Sequence, residues 1–170
     1  MKLPLIIAVC VGLTVSGAAL AGEMSIDQRF SGVAQPTMVD TNGDGIFANA
    51  VSFQFKGAPG RATMLGIGEF TDFAFVGTPG CELRADFVQE SVVETFSDGS
   101  MLFFVATNAF NCVNLATLEI SGEVTADIIG GTGRFEGATG SVEIKFEAFL
   151  VGPIMNAFTG TMKGTVQVSD

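Results

Sequence analysis

Residues 118–127 read LEISGEVTAD, in which small or apolar residues alternate with polar ones. The same period of two recurs in residues 51–56 (VSFQFK), 142–148 (VEIKFEA) and 162–168 (MKGTVQV). A strand of a half-solvated antiparallel sheet shows this spacing, because its side chains point alternately to a wet and a dry face. Helical spacing of 3.6 residues cannot produce such rows. The chain is therefore predicted to be all-β.

Turns rich in Gly, Pro, Asn and Asp, such as residues 42–45, 58–60 and 97–99, divide the chain into about eight strands. No amphipathic helix of 12 residues interrupts them. An antiparallel barrel or sandwich follows, and a closed barrel is favoured because closure removes exposed strand edges. The predicted strands are residues 26–34, 50–57, 62–76 (with a break near Gly68 as an option), 81–96, 101–107, 116–127, 141–150 and 156–168.

The composition excludes several classes of protein. The 170 residues include 18 acidic and 8 basic side chains, for a net charge of −10, and no His, Trp or Tyr. Lack of histidine rules out Ser-His-Asp and Cys-His catalysis and a zinc-binding HExxH helix. The acidic balance argues against a nucleic-acid partner. With 48% hydrophobic and 15% charged residues, the chain is expected to be globular rather than disordered.

The first 21 residues are predicted to be a signal peptide. Lys2 precedes an apolar run, Leu3–Val15, and Ala19-Leu20-Ala21 gives the small-x-small pattern of a cleavage site before Gly22. The run is short for a membrane span, although an uncleaved anchor is the alternative. We therefore expect export to the periplasm or the extracellular space, no stable membrane insertion after cleavage, and a single barrel domain over residues 22–170.

Two cysteines are predicted to form a disulfide. Asp98-Gly99 is a strong hairpin signal, and a turn there sets Cys81 opposite residue 116, close to Cys112. An exported chain meets an oxidising compartment, so we expect a Cys81–Cys112 bond at the open end of this hairpin. Two buried free thiols are the alternative.

Residues 130–140, GGTGRFEGATG, form the most distinctive segment. They do not form a phosphate loop, since no Lys-Ser/Thr follows the glycines and the spacing fits no nucleotide motif. We expect a connection between two strands, with Phe135 plugging the end of the barrel and Arg134 meeting a carboxylate. Glycines would serve there because they adopt positive φ or allow close backbone approach. They are Gly130, Gly131, Gly133, Gly137 and Gly140.

The segment GGTGRFEGATGS, residues 130–141, resembles one found in allene-oxide-cyclase-like and dirigent-like β-barrels, particularly small exported bacterial members. The resemblance covers most of residues 26–168. It implies an eight-stranded antiparallel barrel around an apolar cavity, which plant relatives use to steer cyclisation or radical coupling of a bound hydrophobic intermediate. None of their catalytic residues is placed on this chain. Trimers occur among relatives of this type, so a homo-oligomer stays open.

Acidic residues supply the candidate sites. Asp40, Asn42 and Asp44 lie in DTNGDG, which resembles the start of a calcium loop, but Val51 occupies the position of its final Glu. A calcium site there would need further oxygen ligands, so a plain Asx-Gly turn is the favoured interpretation and calcium binding is the alternative. Glu69 and Asp72 lie on opposite faces if both belong to one strand, so one of them could point inward as an acid or base.

Three functions stay open at this point. The favoured one is an exported, non-catalytic barrel that binds a hydrophobic small molecule or a protein partner, with no cofactor. The first alternative is an isomerase or cyclase of the allene-oxide-cyclase-like or dirigent-like type, acting on a bound apolar intermediate. The second is a calcium-stabilised structural or adhesion module. Two or more polar groups converging inside the barrel would favour the enzyme.

Overall fold

A computed structural model describes residues 22–152 and 155–169 of the protein. The predicted signal peptide lies outside this part of the chain. Nine strands and one short 3-10 helix make up the secondary structure of the described residues. They are β1 (Gly22–Pro36), β2 (Asn49–Ala58), β3 (Ala62–Phe70), β4 (Ala74–Thr78), β5 (Cys81–Phe96), β6 (Met101–Val113), β7 (Ile120–Thr132), the 3-10 helix Gly133–Phe135, β8 (Thr139–Gly152) and β9 (Met155–Val168).

Eight of the strands close into an antiparallel barrel. Neighbours follow the order β3-β2-β1-β9-β8-β7-β6-β5, and β5 pairs back with β3 to complete the ring. The remaining strand, β4, pairs with the first residues of β5. The predicted all-β closed barrel is confirmed. No helix among the described residues is long and apolar enough to cross a membrane.

The alternating pattern that predicted the strands also places apolar side chains inside the barrel. In β7, Val124, Ala126 and Ile128 are buried while the residues between them are exposed. The other seven barrel strands contribute apolar residues to the same interior, so one continuous core forms. Its most deeply buried apolar side chains are Ile26, Phe55, Leu102, Phe104, Phe135, Val142, Met162 and Val166.

Several predicted strand bounds were wrong. The predicted strand 62–76 is two strands, interrupted at residues 71–73 rather than near Gly68, after a register shift between Glu69 and Phe70. Strand β6 continues to Val113 because register shifts at residues 103–104 and 106–108 keep its pairing with β7 despite the broken alternation. The next strand begins at Ile120 instead of residue 116.

The turn before β7 explains that late start. Asn114 Oδ1 accepts hydrogen bonds from the backbone N–H groups of Ala116 and Thr117, at 2.9 and 3.2 Å. Leu118 then adopts a positive φ of 59°, which is incompatible with a strand. Side-chain bonding to the backbone thus keeps residues 114–119 in a turn.

The predicted disulfide is confirmed. Thr95 pairs with Met101 across the Asp98-Gly99 turn, and Arg84 faces Cys112 further along the hairpin. Cys81 and Cys112 are bonded, with their Cα atoms 4.7 Å apart. The bond joins the start of β5, where β4 also pairs, to the far end of β6.

The glycine-rich segment closes one end of the barrel, as predicted. Phe135 is completely buried, and its ring centroid lies 4.8 Å from that of Phe96. Arg134 meets Asp98, with Nε 3.4 Å from Oδ2. Gly133 and Gly137 have φ angles of +64° and +67°, which favour glycine, and they turn the chain on either side of the plug.

Candidate functional site

A cavity of about 380 Å³ occupies the half of the barrel opposite the Phe135 plug. The cavity is bounded by the loops β1–β2 and β3–β4 and by the hairpin end of β8 and β9, which all lie at one end of the barrel. An eight-stranded barrel is just wide enough either to be filled by side chains or to hold one small ligand. In this barrel, side chains fill the half near Phe135, and the other half contains the cavity.

Phenylalanine forms most of the cavity wall. Phe53 is central, since its ring centroid lies 5.1 Å from Phe30 and 5.8 Å from Phe158, which in turn lies 5.3 Å from Phe146. Such rings bury apolar area without offering a hydrogen bond. Ten phenylalanines line the cavity: Phe30, Phe47, Phe53, Phe55, Phe70, Phe73, Phe87, Phe104, Phe146 and Phe158.

A few polar side chains interrupt this apolar wall. Asn111 and Asn156 each have a buried Oδ1 atom with no hydrogen-bond partner. Asn49, Thr71 and Glu90 also line the cavity. An unpartnered buried acceptor is costly, so a bound molecule with a hydroxyl or N–H donor would relieve it.

Glu90 is the ionisable group of the cavity wall. Burial raises the pKa of its carboxyl from 4.5 to about 7. The side chain is half-buried and lines the cavity. Desolvation disfavours the carboxylate, so Glu90 is a carboxylic acid that can exchange its proton near neutral pH.

The two carboxylates that the sequence singled out do not line the cavity. Asp72 is exposed in the loop between β3 and β4. Glu69 is completely buried, but on the outer side of β3, where its Oε2 accepts hydrogen bonds from the backbone N–H (2.8 Å) and hydroxyl (2.5 Å) of Thr41. The carboxyl group that lines the cavity is Glu90 instead. The sequence does indicate the position of Glu90, because Glu90 lies two residues before Val92 on the same face of a predicted strand, and Val92 is buried in the barrel.

The segment DTNGDG, residues 40–45, is a compact turn. Asp40 accepts hydrogen bonds from the backbone N–H groups of Gly43 (2.5 Å) and Gly45 (2.9 Å), and these bonds lower the pKa of its carboxyl. Asn42 donates to Asp44 through Nδ2 (3.0 Å) and accepts from its backbone N–H through Oδ1 (2.9 Å). The turn brings Asp40 and Asp44 next to Glu69, with one carboxylate oxygen of each within 4.8 Å of the others.

A second buried carboxyl lies at the plugged end, remote from the cavity. Glu94 is completely buried, and its Oε1 accepts a hydrogen bond from Gln28 Nε2 at 2.8 Å. Glu94 Oε2 and Gln28 Oε1 have no partner. Burial raises the pKa of Glu94 to about 7, although the Gln28 hydrogen bond and the charge of Arg134 oppose the shift.

The barrel with its half-open interior matches two solved structures, the pterocarpan synthase dirigent proteins GePTS1 and PsPTS1, each with a TM-score of 0.51 and 16% sequence identity. Each match covers 88% of this chain, and 87% of GePTS1 or 97% of PsPTS1. The chain has a dirigent-like fold. This confirms the barrel type that residues 130–141 predicted. No protein-family model and no curated protein matches this chain.

Proposed function

We propose that this protein binds a small, largely hydrophobic molecule inside its barrel. The observation that carries the proposal is the phenylalanine-lined cavity of about 380 Å³. Burial of apolar surface yields roughly 25 cal/mol per Å², so a ligand that buries about 200 Å² would gain roughly 5 kcal/mol before the costs of association. A few polar groups in an otherwise apolar concave space are the usual composition of a small-molecule site.

The polar groups narrow the class of ligand. Asn111 and Asn156 offer unpartnered acceptors, which suit a hydroxyl group on the ligand. Glu90 adds a donor while it is protonated, below about pH 7. A lipid-like or phenolic molecule with one or two hydroxyl or carbonyl groups fits this combination better than a pure hydrocarbon.

Blocking the cavity tests the binding proposal. Ala106 lines the cavity and is half-buried, so Ala106→Phe should place a ring inside it, whereas Ala116→Phe adds the same bulk in an exposed turn. We expect Ala106→Phe to weaken the binding of a fluorescent hydrophobic probe at least tenfold, and Ala116→Phe to leave it unchanged. No binding by the unmodified protein, or equal binding by both variants, would contradict the proposal.

A second candidate, acid catalysis on the bound molecule, is favoured by Glu90. A neutral carboxylic acid in an apolar cavity can protonate a ligand oxygen and later recover the proton, which is general acid–base chemistry. The solved structures of this fold include pterocarpan synthases, an analogy that reaches this chain only through the fold. Such a reaction would make the protein an isomerase or cyclase.

Product analysis distinguishes catalysis from binding. An unsaturated epoxide or a phenoxyl-radical source is incubated with the protein, and the stereochemistry of the product is measured. Catalysis predicts an excess of one stereoisomer that Glu90→Gln abolishes while probe binding stays intact. A racemic product would leave the protein a binder, whereas an unchanged excess in Glu90→Gln would mean that Glu90 is not the catalytic acid.

We also propose that the protein is exported. The Cys81–Cys112 disulfide supports this, because such bonds persist in oxidising compartments. The signal-like start of the sequence supports it independently. N-terminal sequencing of the protein from the exported fraction should begin at Gly22 or within a few residues of it, and a sequence beginning at Met1 would refute the cleavage.

A further inference from the structure

The loop between β1 and β2, residues 37–48, covers a carboxylate on the outside of the barrel. Gly68 and Phe70 line the cavity, so strand alternation places Glu69 on the opposite face of β3. A carboxylate on an outer face is ordinarily solvated, yet Glu69 is 0% exposed. The loop buries it, with Thr41 donating two hydrogen bonds to Oε2.

The same loop places two more carboxylates, Asp40 and Asp44, next to Glu69. One carboxylate oxygen each from Asp40, Asp44 and Glu69 lie within 4.8 Å of one another. In the described part of the chain, the ion pairs involve other acidic residues: Asp86, Asp98 and Glu123. Like charges this close repel, and water screens the repulsion least at Glu69, the buried member of the three. A cation between the three carboxylates would offset this repulsion.

The hydrogen bonding of Glu69 is a second observation that indicates a bound cation. Its Oε1 is buried and has no hydrogen-bond partner, although its carboxylate is turned toward Asp40 and Asp44. An unpartnered buried carboxylate oxygen is strongly disfavoured. A cation bound between the three side chains would satisfy it, since hard divalent cations take carboxylate oxygens as ligands.

We infer that Asp40, Asp44 and Glu69 form a binding site for a divalent cation, calcium. The sequence DTNGDG supplies ligands at the start of a calcium loop but has Val51 where the final acidic ligand belongs. In the folded protein, Glu69 from β3 takes the place of that missing carboxylate. The side-chain amide of Asn42 is hydrogen-bonded to Asp44 through both Nδ2 and Oδ1.

The site would fasten the loop to the barrel beside the cavity. Ile46 and Phe47, from the same loop, line the cavity, and the next residue, Ala48, is completely buried. The bound cation thus stabilises one wall of the cavity as well as the fold. This inference does not rest on the proposed ligand, because the cation is measured in the absence of any organic molecule.

Thermal unfolding in Ca²⁺ and in EDTA tests the site. A ligand that binds only the folded state raises Tm, by about 5 to 10 °C when Ca²⁺ is present at ~100 times its Kd. Titration calorimetry should show one site per chain. Glu69→Gln should lose the rise and, in EDTA, melt no lower than the unmodified protein, because it removes a buried charge. Glu136→Gln, an exposed change of the same kind, should keep the rise.

Asp44→Asn provides a second variant at an exposed position, so the test survives if Glu69→Gln fails to fold. It should lose the rise in Tm as Glu69→Gln does. Identical melting of the unmodified protein in Ca²⁺ and EDTA would overturn the inference. So would a rise that persists undiminished in Asp44→Asn and Glu69→Gln, because the ion would then bind elsewhere.

Discussion

Replacing Glu94 with glutamine should make the protein more stable at alkaline pH. Glu94 is completely buried beside Gln28, and burial raises the pKa of its carboxyl from 4.5 to about 7. Above that pH the folded protein carries a buried carboxylate whose Oε2 has no partner. The amide of Glu94→Gln keeps the shape, removes the charge and brings an N–H donor next to the unpartnered Oε1 of Gln28.

The sign of the pH dependence follows from proton binding. Folded Glu94 keeps its proton up to about pH 7, whereas in the unfolded chain it loses the proton near its ordinary value of 4.5. The folded state therefore binds more protons between these pH values, so this contribution to stability is complete below pH 4.5 and is lost as the pH rises to about 7. A shift of this size corresponds to about 3 kcal/mol.

Calorimetric melts from pH 5 to pH 8 measure the effect. We expect Glu94→Gln to melt close to the unmodified protein at pH 5 and about 6 to 12 °C above it at pH 8. Glu136→Gln, at an exposed position, should leave the pH profile unchanged. A residual slope in Glu94→Gln is expected from Glu90, whose pKa is also raised to about 7. A Glu94→Gln protein less stable at pH 8 than the unmodified one would refute the reasoning.

Three further perturbations address the framework of the fold. Replacing both Cys81 and Cys112 with Ser opens a closed loop of about 30 residues and should cost roughly 3 kcal/mol, seen as a Tm several degrees lower; equal melts would show that the bond adds no stability. Phe135→Ala removes the ring that plugs the barrel end and should lower the free energy of unfolding, measured in urea, by about 3–5 kcal/mol; a smaller loss would mean that the barrel end collapses to fill the space. Gly164→Ala would set a Cβ atom against the backbone oxygen of Ser141, so a lower urea midpoint is expected, and an unchanged midpoint would mean that β9 shifts freely.

Strand alternation carried most of the prediction of the fold. The alternating residues from Ile120 to Ile128 form the predicted strand, and its inward face is correct. Prediction failed where pairing continues through an irregular pattern. The register shift between Ala106 and Asn108 disrupts the alternation of β6, yet hydrogen bonding to β7 carries the strand on to Val113. Such continuity depends on the neighbouring strand and is not visible locally.

The site residues were harder to predict for the same reason. Glu90 could have been found, because it stands two positions before Val92 and four before Glu94 on one face of a predicted strand. The burial of Glu69 could not, since it arises from a loop whose Thr41 lies 28 residues earlier in the chain. Likewise, Asn111 and Asn156 become cavity groups only when β6 and β9 are placed around a common interior.

The pairing of β1 with β9 has a consequence for biosynthesis. Gly22 lies opposite Val168, so the first strand of the barrel has the last strand as one of its two partners. During translation, β1 can pair with β2, but its other edge stays open until β9 has been synthesised. An open edge is a template for pairing with other chains. Ring closure therefore waits for β9, and a nascent chain stalled before β9 would be the form most prone to aggregate.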